Sequence, residues 1–349
     1  MLERLHIRNY RVFNELKIDK LSRINLIAGK NNSGKTSLLE AVLLLAGAGN
    51  PQLAVHAHIN RGLVSNVAPG LVDVTFWTPM FSGLDMSRAI EISAHHNQFG
   101  PLNLKIVSKR MQNTEISLDR TAEASVTNLS DMRALVFHYN GPNDQKVEGQ
   151  ISIKGEGIKV RQDEIDFPFI ATLLLSRFEN LQEDARRLAL LRKAKLGHFV
   201  LEALQIIEPR LQSVEDNSAS GAPMIWGDIG LPELIPLPVM GEGMTRIARL
   251  VLGIASAMDG VVLVDEIENG LHHSILPKVW QAVDATAKQF KTQVFATTHS
   301  FECIEAAHDA LGADGFLLHR LEANSTENRC VTYEPEEIDV ALRHNLEIR

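Results

Sequence analysis

The segment INLIAGKNNSGKTSLLEAVLLL, residues 24–45, constrains the fold of this 349-residue chain more than any other. An apolar run typical of a buried strand leads into a glycine-rich turn, and a helical pattern follows. The turn fits the spacing G-x-x-x-x-G-K-[ST] between Gly29 and Thr36. Glycines let backbone amides turn inward around phosphate oxygens, and the amino end of the helix adds positive potential. The segment therefore predicts a strand–loop–helix unit that binds the phosphates of a nucleotide.

Side chains of this loop are expected to have distinct roles. Lys35 is predicted to reach the β- and γ-phosphates and to act in catalysis, whereas the Thr36 hydroxyl is predicted to bind Mg²⁺. A strand–helix turn without a ligand is the alternative, which the context of the motif disfavours. The predicted nucleotide contacts in the loop are Gly29, Asn31, Asn32, Ser33, Gly34, Lys35, Thr36 and Ser37.

A second apolar run, in VVLVDEIENGLHH, ends in the acidic pair Asp265 and Glu266. Ligands of open α/β sheets bind at the carboxyl ends of strands, and two carboxylates there are costly unless a cation or proton compensates them. We predict that Asp265 coordinates Mg²⁺ and that Glu266 is the base that polarises an attacking water. An exposed acidic strand end is the alternative for this stretch taken alone.

A third buried strand, QVFATTHS, ends in polar residues that include His299. It follows the acidic pair by 33 residues, which leaves room for one crossover helix and a neighbouring parallel strand. His299 is predicted to contact the γ-phosphate or to position water, although a lone histidine at a strand end is also compatible with a structural role.

The stretch PVMGEGMTRIARLV predicts a second anion site. Gly241 and Gly243 open a helix about 20 residues before the acidic strand, and a helix amino end attracts anions. A simple glycine cap is the alternative. The apolar face predicted for this helix consists of Ile247, Leu250, Val251, Ile254 and Met258.

Changes of periodicity divide the rest of the chain. A hairpin is predicted to turn at Gly155 and Gly157 and to pair Ile151 and Ile153 with Ile158 and Val160. The other predicted segments are two strands in residues 1–20, an irregular stretch at 50–85, antiparallel strands at 89–167 that include TEISLD, helices at 180–214 with a break near Gly197, and loops at 215–237.

Composition limits the class of protein. The chain has 35 Lys and Arg against 43 Asp and Glu, and this charge of −8 argues mildly against a protein that coats nucleic acid. Cys303 and Cys330 lie in unrelated contexts, so neither a disulfide framework nor a thiolate metal site is supported. The amino end lacks a signal-peptide core, and no apolar run reaches the roughly 18 residues of a membrane helix. We expect a cytoplasmic protein without a membrane partner.

Taken together, these stretches resemble the ABC-type ATPase heads of the SMC, RecF and OLD group. The resemblance is carried by LHIRNYRVFNELKIDKLSRINLIAGKNNSGKTSLLEA and by VDEIENGLHH followed by FATTHS, and it is strongest to short stand-alone OLD-like ATPases without a Toprim nuclease domain. It implies an α/β fold of the P-loop NTPase, ABC-ATPase type, with a mixed central sheet, flanking helices, and an inserted antiparallel β and helical lobe.

The resemblance also implies how the site works. Asn9 and Arg11 would lie near the nucleotide phosphates, and Gly241 to Gly243 would form the signature loop. In such families two heads sandwich two nucleotides, so ATP and Mg²⁺ are the expected cofactors and a homodimer is the expected assembly. Hydrolysis would then depend on dimerisation.

Two departures from the family pattern affect this reading. Met240 stands where a serine usually precedes the signature glycines, so backbone amides and Thr245 or Arg246 would replace the hydroxyl contact. The glutamine that normally joins Mg²⁺ to the inserted lobe has only Gln52 and Gln98 as candidates.

Three segments are predicted: residues 1–75 and 226–349 form the two parts of the ATPase head, and residues 76–225 form the inserted lobe, β-rich at 89–167 and helical at 180–214. The predicted function is Mg²⁺-dependent ATP hydrolysis by a dimer whose opening and closing acts on DNA or a partner protein, in DNA maintenance or phage defence. Only 49 residues follow Ser300, so a nuclease or toxin activity is expected from a partner.

Two alternatives remain at this stage. A slow nucleotide-dependent switch in a defence or nuclease complex would use ATP occupancy rather than turnover, whereas a transporter subunit is disfavoured by the inserted sheet.

The role of the basic cluster RRLALLRKAK, which contains Arg186, Arg187, Arg192, Lys193 and Lys195, has two interpretations. A solvated helix face is favoured two to one over a DNA or partner contact.

Overall fold

The computed structural model describes residues 1–59, 61, 76–110, 133–154, 157–163, 169–176, 180–218, 221–312, 315–323, 328–344 and 346–349. Strands in these residues are β1 (Leu2–Tyr10), β2 (Phe13–Ile18), β3 (Ile24–Ala28), β4 (Ile90–His96), β5 (Gly100–Arg110), β6 (Arg133–Asn140), β7 (Lys146–Lys154), β8 (Gly157–Gln162), β9 (Ala171–Leu174), β10 (Ser213–Asn217), β11 (Met224–Asp228), β12 (Ile235–Pro236), β13 (Val261–Val264), β14 (Gln293–Thr297), β15 (Phe316–Ala323) and β16 (Asn328–Tyr333). Helices are α1 (Lys35–Ala46), α2 (Gln52–Ile59), α3 (Leu181–Lys193), α4 (Gly197–Gln205), α5 (Glu242–Ser256), α6 (Leu276–Phe290), α7 (Phe301–Leu311) and α8 (Pro335–Arg343).

A mixed six-stranded sheet forms the centre of the fold, in the order β16-β15-β3-β14-β13-β9. Strands β15, β3, β14, β13 and β9 are parallel, and β16 joins the edge antiparallel. The carboxyl ends of β3, β13 and β14 therefore meet at one edge of the sheet, where ligands of such sheets bind. The predicted α/β class with a mixed central sheet is confirmed.

Each face of this sheet packs against its own core. In β3, Ile24 and Leu26 belong to the core that includes α5, α6 and α7, whereas Ile27 points to the opposite face. The second core includes α1 and the inner side of the antiparallel sheet. This alternation follows from the two-residue period of a strand, and because both faces are covered, β3 is buried throughout.

A second, seven-stranded antiparallel sheet has the order β2-β1-β4-β5-β6-β7-β8. The amino-terminal strand pair and the hairpin of β7 and β8 are confirmed, with Ile151 opposite Val160 and Ile153 opposite Ile158. Strand β1 pairs with β4, so the predicted segments 1–75 and 76–225 contribute to one sheet. The predicted strand TEISLD and the turn residue Gly155 lie outside the described residues.

Two predictions of local structure were wrong, and one strand was not predicted at all. The irregular stretch at 50–85 contains α2, which is short and buries mainly small residues and therefore lacks a clear helical pattern. The loops at 215–237 contain part of a three-stranded sheet, β10-β11-β12, whose strands bury single residues such as Ile225. Strand β9 was missed because its short apolar run is compatible with helix or strand until a neighbour is known.

The helical pair α3 and α4 is interrupted just before Gly197, as predicted. Helix α5 also has the predicted buried face except at Met258, which lies beyond its end and is 45% exposed. No helix in the part of the chain that the structure describes is long and apolar enough to cross a membrane.

A buried ion pair joins α3 to α5. The Arg249 Nε donates to Asp184 Oδ2 at 3.1 Å, and both side chains are nearly inaccessible to solvent. Burial raises the pKa of the Asp184 carboxyl, and the guanidinium of Arg249 opposes that shift. Arg192 at the end of α3 forms an exposed pair with Asp216 at 2.8 Å.

Replacing Asp184 with Ala is expected to lower the free energy of unfolding by about 3 kcal/mol, because it leaves the Arg249 charge buried without this carboxylate. Asp216→Ala is the matched control and should cost less than about 1 kcal/mol, because its pair is exposed. Urea unfolding followed by circular dichroism measures both changes. Equal losses of unfolding free energy in the two variants would contradict a larger stabilising role for the buried pair of Asp184 and Arg249.

Candidate nucleotide-binding site

The glycine-rich loop connects the carboxyl end of β3 to the amino end of α1. Its last residue, Gly34, has φ 101°, and a Cβ there would lie 2.5 Å from Cζ of Phe13. Both facts require glycine at this position, because a side chain would meet strained backbone and an aromatic ring. Asn31 and Asn32 are exposed on the outer side of the loop, and Asn32 has φ 65°.

Lys35, the first residue of α1, folds back over this loop. Its Nζ donates to the carbonyl oxygens of Gly29 at 2.6 Å and Lys30 at 3.1 Å. Burial lowers the pKa of Lys35, while the negative charge of Asp265 opposes that shift. The ammonium group therefore sits within the loop, where a phosphate oxygen would be a stronger acceptor than a carbonyl.

Thr36 of α1 lies next to Asp265 at the end of β13, so the two predicted metal ligands are close together. The Thr36 hydroxyl lies 3.3 Å from Asp265 Oδ1 and 3.4 Å from Oδ2. The Thr297 hydroxyl donates to Asp265 Oδ1 at 2.8 Å. Burial raises the pKa of Asp265, and the hydrogen bond from Thr297 opposes that shift. A carboxylate held in this way gains most from a nearby cation.

Glu266 is held in a tight turn directly after Asp265. Its φ is 49°, and its N–H donates to the Thr297 hydroxyl at 2.8 Å. The Ser176 hydroxyl, two residues beyond β9, donates to Glu266 Oε2 at 3.2 Å. Arg246 of α5 donates to the carbonyl oxygens of Asp265 and Glu266 at 3.3 and 3.2 Å. Ser176 therefore contacts the carboxylate, while Thr297 and Arg246 hold the backbone that carries it.

A cavity of about 680 Å³ opens beside these residues. Its lining includes Thr36, Asp265 and Glu266 together with Arg11 and Arg61. Carboxylates and guanidinium groups thus face a common space of a size that suits part of a nucleotide and its metal ion.

Glu40 of α1 forms ion pairs with both Arg11 and Arg61. Its oxygens lie 2.6 Å from Arg11 Nε and 2.8 Å from Arg61 Nε, and its side chain is only 4% exposed. Arg61 also donates to the Ser37 hydroxyl at 3.3 Å. Two guanidinium groups on one carboxylate leave an excess positive charge. Moreover, the buried Nη2 of Arg11 has no hydrogen-bond partner among the described residues, which favours an anionic ligand here.

Arg61 and Ser176 are candidate functional residues that the sequence analysis did not identify. Arg61 is brought to the cavity by α2, and Ser176 by β9, and neither element was predicted. No local motif marks either residue. The only available signal was the apolar run before Ser176, which follows the pattern of the other strands that end at the site.

Several predicted site residues lie elsewhere. The Asn9 amide donates to the carbonyl oxygens of Arg88 and Ala89 at 2.8 and 3.3 Å, which favours a structural role. The backbone N–H of His299 donates to Glu268 Oε1 at 3.0 Å, while its ring is 53% exposed. Of the predicted loop contacts, Thr36 and Ser37 line the cavity. The described residues that line it do not include Gly29, Asn31, Asn32, Ser33, Gly34, Lys35, Asn9, His299, Gly241, Gly243, Gln52 or Gln98.

The donor set fits Mg²⁺ delivered with a triphosphate. A hydroxyl and a carboxylate are the hard oxygen ligands that Mg²⁺ takes, usually with phosphate oxygens and water completing the shell. Within the described residues, no cluster of three or more His, Cys, Asp or Glu side chains could hold a metal alone. Thr36 and Asp265 would therefore supply the protein ligands of an ion shared with the nucleotide.

Comparison with known proteins identifies the family. The AAA_21 family, described as "AAA domain, putative AbiEii toxin, Type IV TA system", matches residues 24–305. An ATP/GTP phosphatase of Helicobacter pylori is 25% identical over 332 residues, which cover 87% of each chain. The DNA replication and repair protein RecF of Shewanella pealeana is 27% identical over 145 residues, which cover 42% of this chain and 36% of that protein.

A solved structure shares the fold. The Smc head domain of Pyrococcus furiosus, with an extended coiled coil and bound to the C-terminal domain of ScpA, superposes with a TM-score of 0.50 at 12% identity, covering 99% of each chain. Since the family match covers most of the chain, this protein belongs to the AAA_21 family. It is an ATPase with the ABC-type head of the SMC and RecF group, as the sequence predicted.

Lys35→Ala is expected to weaken ATP binding about 10- to 100-fold, because a hydrogen bond from a charged group contributes about 1.5–3 kcal/mol. Lys30→Ala is the control, since Lys30 is exposed in the same loop and engages Lys35 only through its carbonyl. Titration with a fluorescent ATP analogue measures both affinities. Unchanged binding by Lys35→Ala would argue against this loop as the phosphate site.

Proposed function

We propose that this ATPase is a cytoplasmic, Mg²⁺-dependent enzyme that hydrolyses ATP as a homodimer with the nucleotides between two copies. The observation that supports this most is the convergence of Thr36, Asp265 and Glu266 on one cavity that Arg11 and Arg61 also line. These residues supply the two metal ligands, the base and the positive charges that hydrolysis of a triphosphate requires.

In the proposed reaction, Lys35 and the loop amides hold the β- and γ-phosphates. Bound Mg²⁺ would neutralise phosphate charge, with Thr36 and Asp265 as its protein ligands. Glu266 accepts a proton from the attacking water, whose oxygen forms a bond to the γ-phosphorus while the bond to the bridging oxygen breaks. The products are ADP and inorganic phosphate, and Arg11 on the cavity wall stabilises the charge that shifts between them.

The dimer is supported by where the signature loop lies. Gly241 opens α5 with φ 120°, but it is not among the described residues that line the cavity of its own chain. The preceding Val239 is 71% exposed, and Leu231 is 52% exposed nearby in sequence. An exposed helix amino end with apolar flanks suits contact with the phosphate held by a second copy.

Opening and closing of the dimer is proposed to act on a partner protein, such as a nuclease or toxin in a defence system. Three arginines of the basic cluster on α3 already have carboxylate partners: Arg186 and Arg187 pair with Glu183, and Arg192 pairs with Asp216. This pairing reduces the positive charge that the helix can offer to phosphates, which disfavours a DNA site there. The names of the relatives permit either target, because one is a phosphatase and the other a DNA repair protein.

The slow switch is a second candidate, and one observation favours it. Met240 provides no hydroxyl for the γ-phosphate, and its sulfur lies near Gly227 on the protein itself, where a Cβ on Gly227 would approach it to 3.1 Å. The signature contact would then rest on backbone amides. Loss of one anion contact is expected to slow turnover more than it weakens nucleotide occupancy.

Glu266→Gln is expected to retain ATP binding, to lower the turnover rate about 10²- to 10⁴-fold and to accumulate the ATP-bound dimer, because the base is lost without loss of phosphate contacts. Phosphate release and light scattering measure the two effects. Glu302→Gln is the control, since this exposed carboxylate bonds only locally to Ser300. A fully active, monomeric Glu266→Gln protein would refute the mechanism and the dimer.

Steady-state turnover distinguishes the hydrolase from the switch. We expect rates above about 1 s⁻¹ once the target is present if turnover drives the motion, and lower rates under all conditions if occupancy is the signal. The assay compares protein alone, protein with duplex DNA, and protein with partners captured by Glu266→Gln in ATP. Strong stimulation by DNA alone would overturn the choice of a protein target.

A further inference from the structure

Thr297, the last residue of β14, forms hydrogen bonds with Asp265, Glu266 and Ile267, which make up the turn after β13. Its side chain is fully buried. Its hydroxyl donates to Asp265 Oδ1 at 2.8 Å and accepts from the N–H of Glu266 at 2.8 Å, while its carbonyl oxygen accepts from the N–H of Ile267 at 3.1 Å. One residue of the neighbouring strand therefore holds residues 265, 266 and 267.

Strand register explains why this residue reaches the turn. Strands β13 and β14 are parallel, with Val264 opposite Ala296, so Thr297 lies beside Asp265 where β13 ends. Beyond this point the main chain of residues 265–267 leaves the ladder, and its N–H groups need other acceptors. The Asp265 N–H donates to the Leu174 carbonyl, and Thr297 supplies the acceptors for the N–H groups of Glu266 and Ile267, one from its side chain and one from its backbone.

The hydrogen-bond pattern requires a hydroxyl. A hydroxyl oxygen can donate one proton and accept at the same time, whereas a carboxylate can only accept. The proton of Thr297 is thus directed to Asp265, and a lone pair is left for the Glu266 N–H. Valine has nearly the same shape but can do neither, and serine keeps both functions without the methyl group.

The backbone at Glu266 needs this support. Its φ of 49° lies in the left-handed region, which non-glycine residues adopt only when their surroundings hold them there. Thr297 binds the N–H side of the turn, and Arg246 binds the carbonyl oxygens of Asp265 and Glu266 on the other side. The direction of the Glu266 carboxylate is therefore coupled to the orientation of the Asp265 carboxylate.

We propose that Thr297 is a positioning residue that sets, through one hydroxyl, both the presentation of Asp265 to the metal ion and the aim of Glu266 at the attacking water. The inference rests on the proposed function, in which Asp265 is a metal ligand and Glu266 is the base. Thr297 donates to Oδ1, and the Thr36 hydroxyl lies within 3.4 Å of both carboxylate oxygens, so the Thr297 hydroxyl fixes the orientation in which Asp265 faces Thr36.

The test compares Thr297→Val with Thr297→Ser in the full-length protein. Thr297→Val is expected to weaken ATP binding measured by calorimetry with Mg²⁺ about tenfold, to leave binding in EDTA unchanged, and to lower the turnover rate about 10- to 100-fold. Thr297→Ser should stay close to the unaltered protein in all three measurements. Rescue by serine identifies the hydroxyl as the cause, since serine lacks the methyl group.

Thr286→Val is the matched control. Thr286 is also buried, and its hydroxyl donates to the Ala282 carbonyl within α6 at 2.7 Å, outside the site. This variant should change neither Mg²⁺-dependent binding nor turnover. If Thr297→Val does not fold, Thr297→Ser against Thr297→Ala makes the same comparison, because these two differ only by the hydroxyl.

Unchanged Mg²⁺-dependent affinity and turnover in a folded variant without the hydroxyl would overturn the inference. Equal weakening of ATP binding with Mg²⁺ and in EDTA would also overturn it, because the effect would then be general to the loop. The proposed function fails separately, if the unaltered protein binds ATP equally with and without Mg²⁺ and Glu266→Gln keeps full turnover.

Discussion

The contact between the Thr36 hydroxyl and the Asp265 carboxylate is the interaction on which the rest of the site depends. The two residues are 229 positions apart in the chain, and they meet because β3 and β13 end at the same edge of a parallel sheet. Asp265 is partly buried, and burial raises the pKa of its carboxyl, so its negative charge is costly without compensation. A cation between the amino end of α1 and the carboxyl end of β13 would therefore be stabilising. This is the position of a nucleotide-bound metal in an ATPase.

The arginines that line the same cavity carry the complementary charge. Glu40 is buried between Arg11 and Arg61, so one negative charge is shared by two positive ones. An incoming phosphate would balance these arginines, just as a cation would balance Asp265. ATP with its metal ion carries both charges, so the two groups together favour the intact complex over either component.

The sequence predicted the chemical centre of the site well and its periphery poorly. Lys35, Thr36, Asp265 and Glu266 stand in motifs whose spacing indicates phosphate and metal chemistry. The structure places the Thr36 hydroxyl against Asp265 and brings both carboxylates close enough to act on the charge of Lys35. Thr297 was visible only as a polar strand end. Its role depends on the register of β14 against β13, and no pattern within either segment specifies that register.

What the sequence determined by itself was local: the strand–loop–helix unit, the carboxylates at the end of an apolar strand and the break between the helices near Gly197. These follow from backbone sterics and from periodicities of two or 3.6 residues, which act over a few positions. Only the tertiary structure decided that β1 pairs with β4, that β9 brings Ser176 to Glu266, and that Arg61 reaches Glu40. Such meetings depend on which distant segments pack together, and that is settled by the burial of whole faces rather than by adjacent residues.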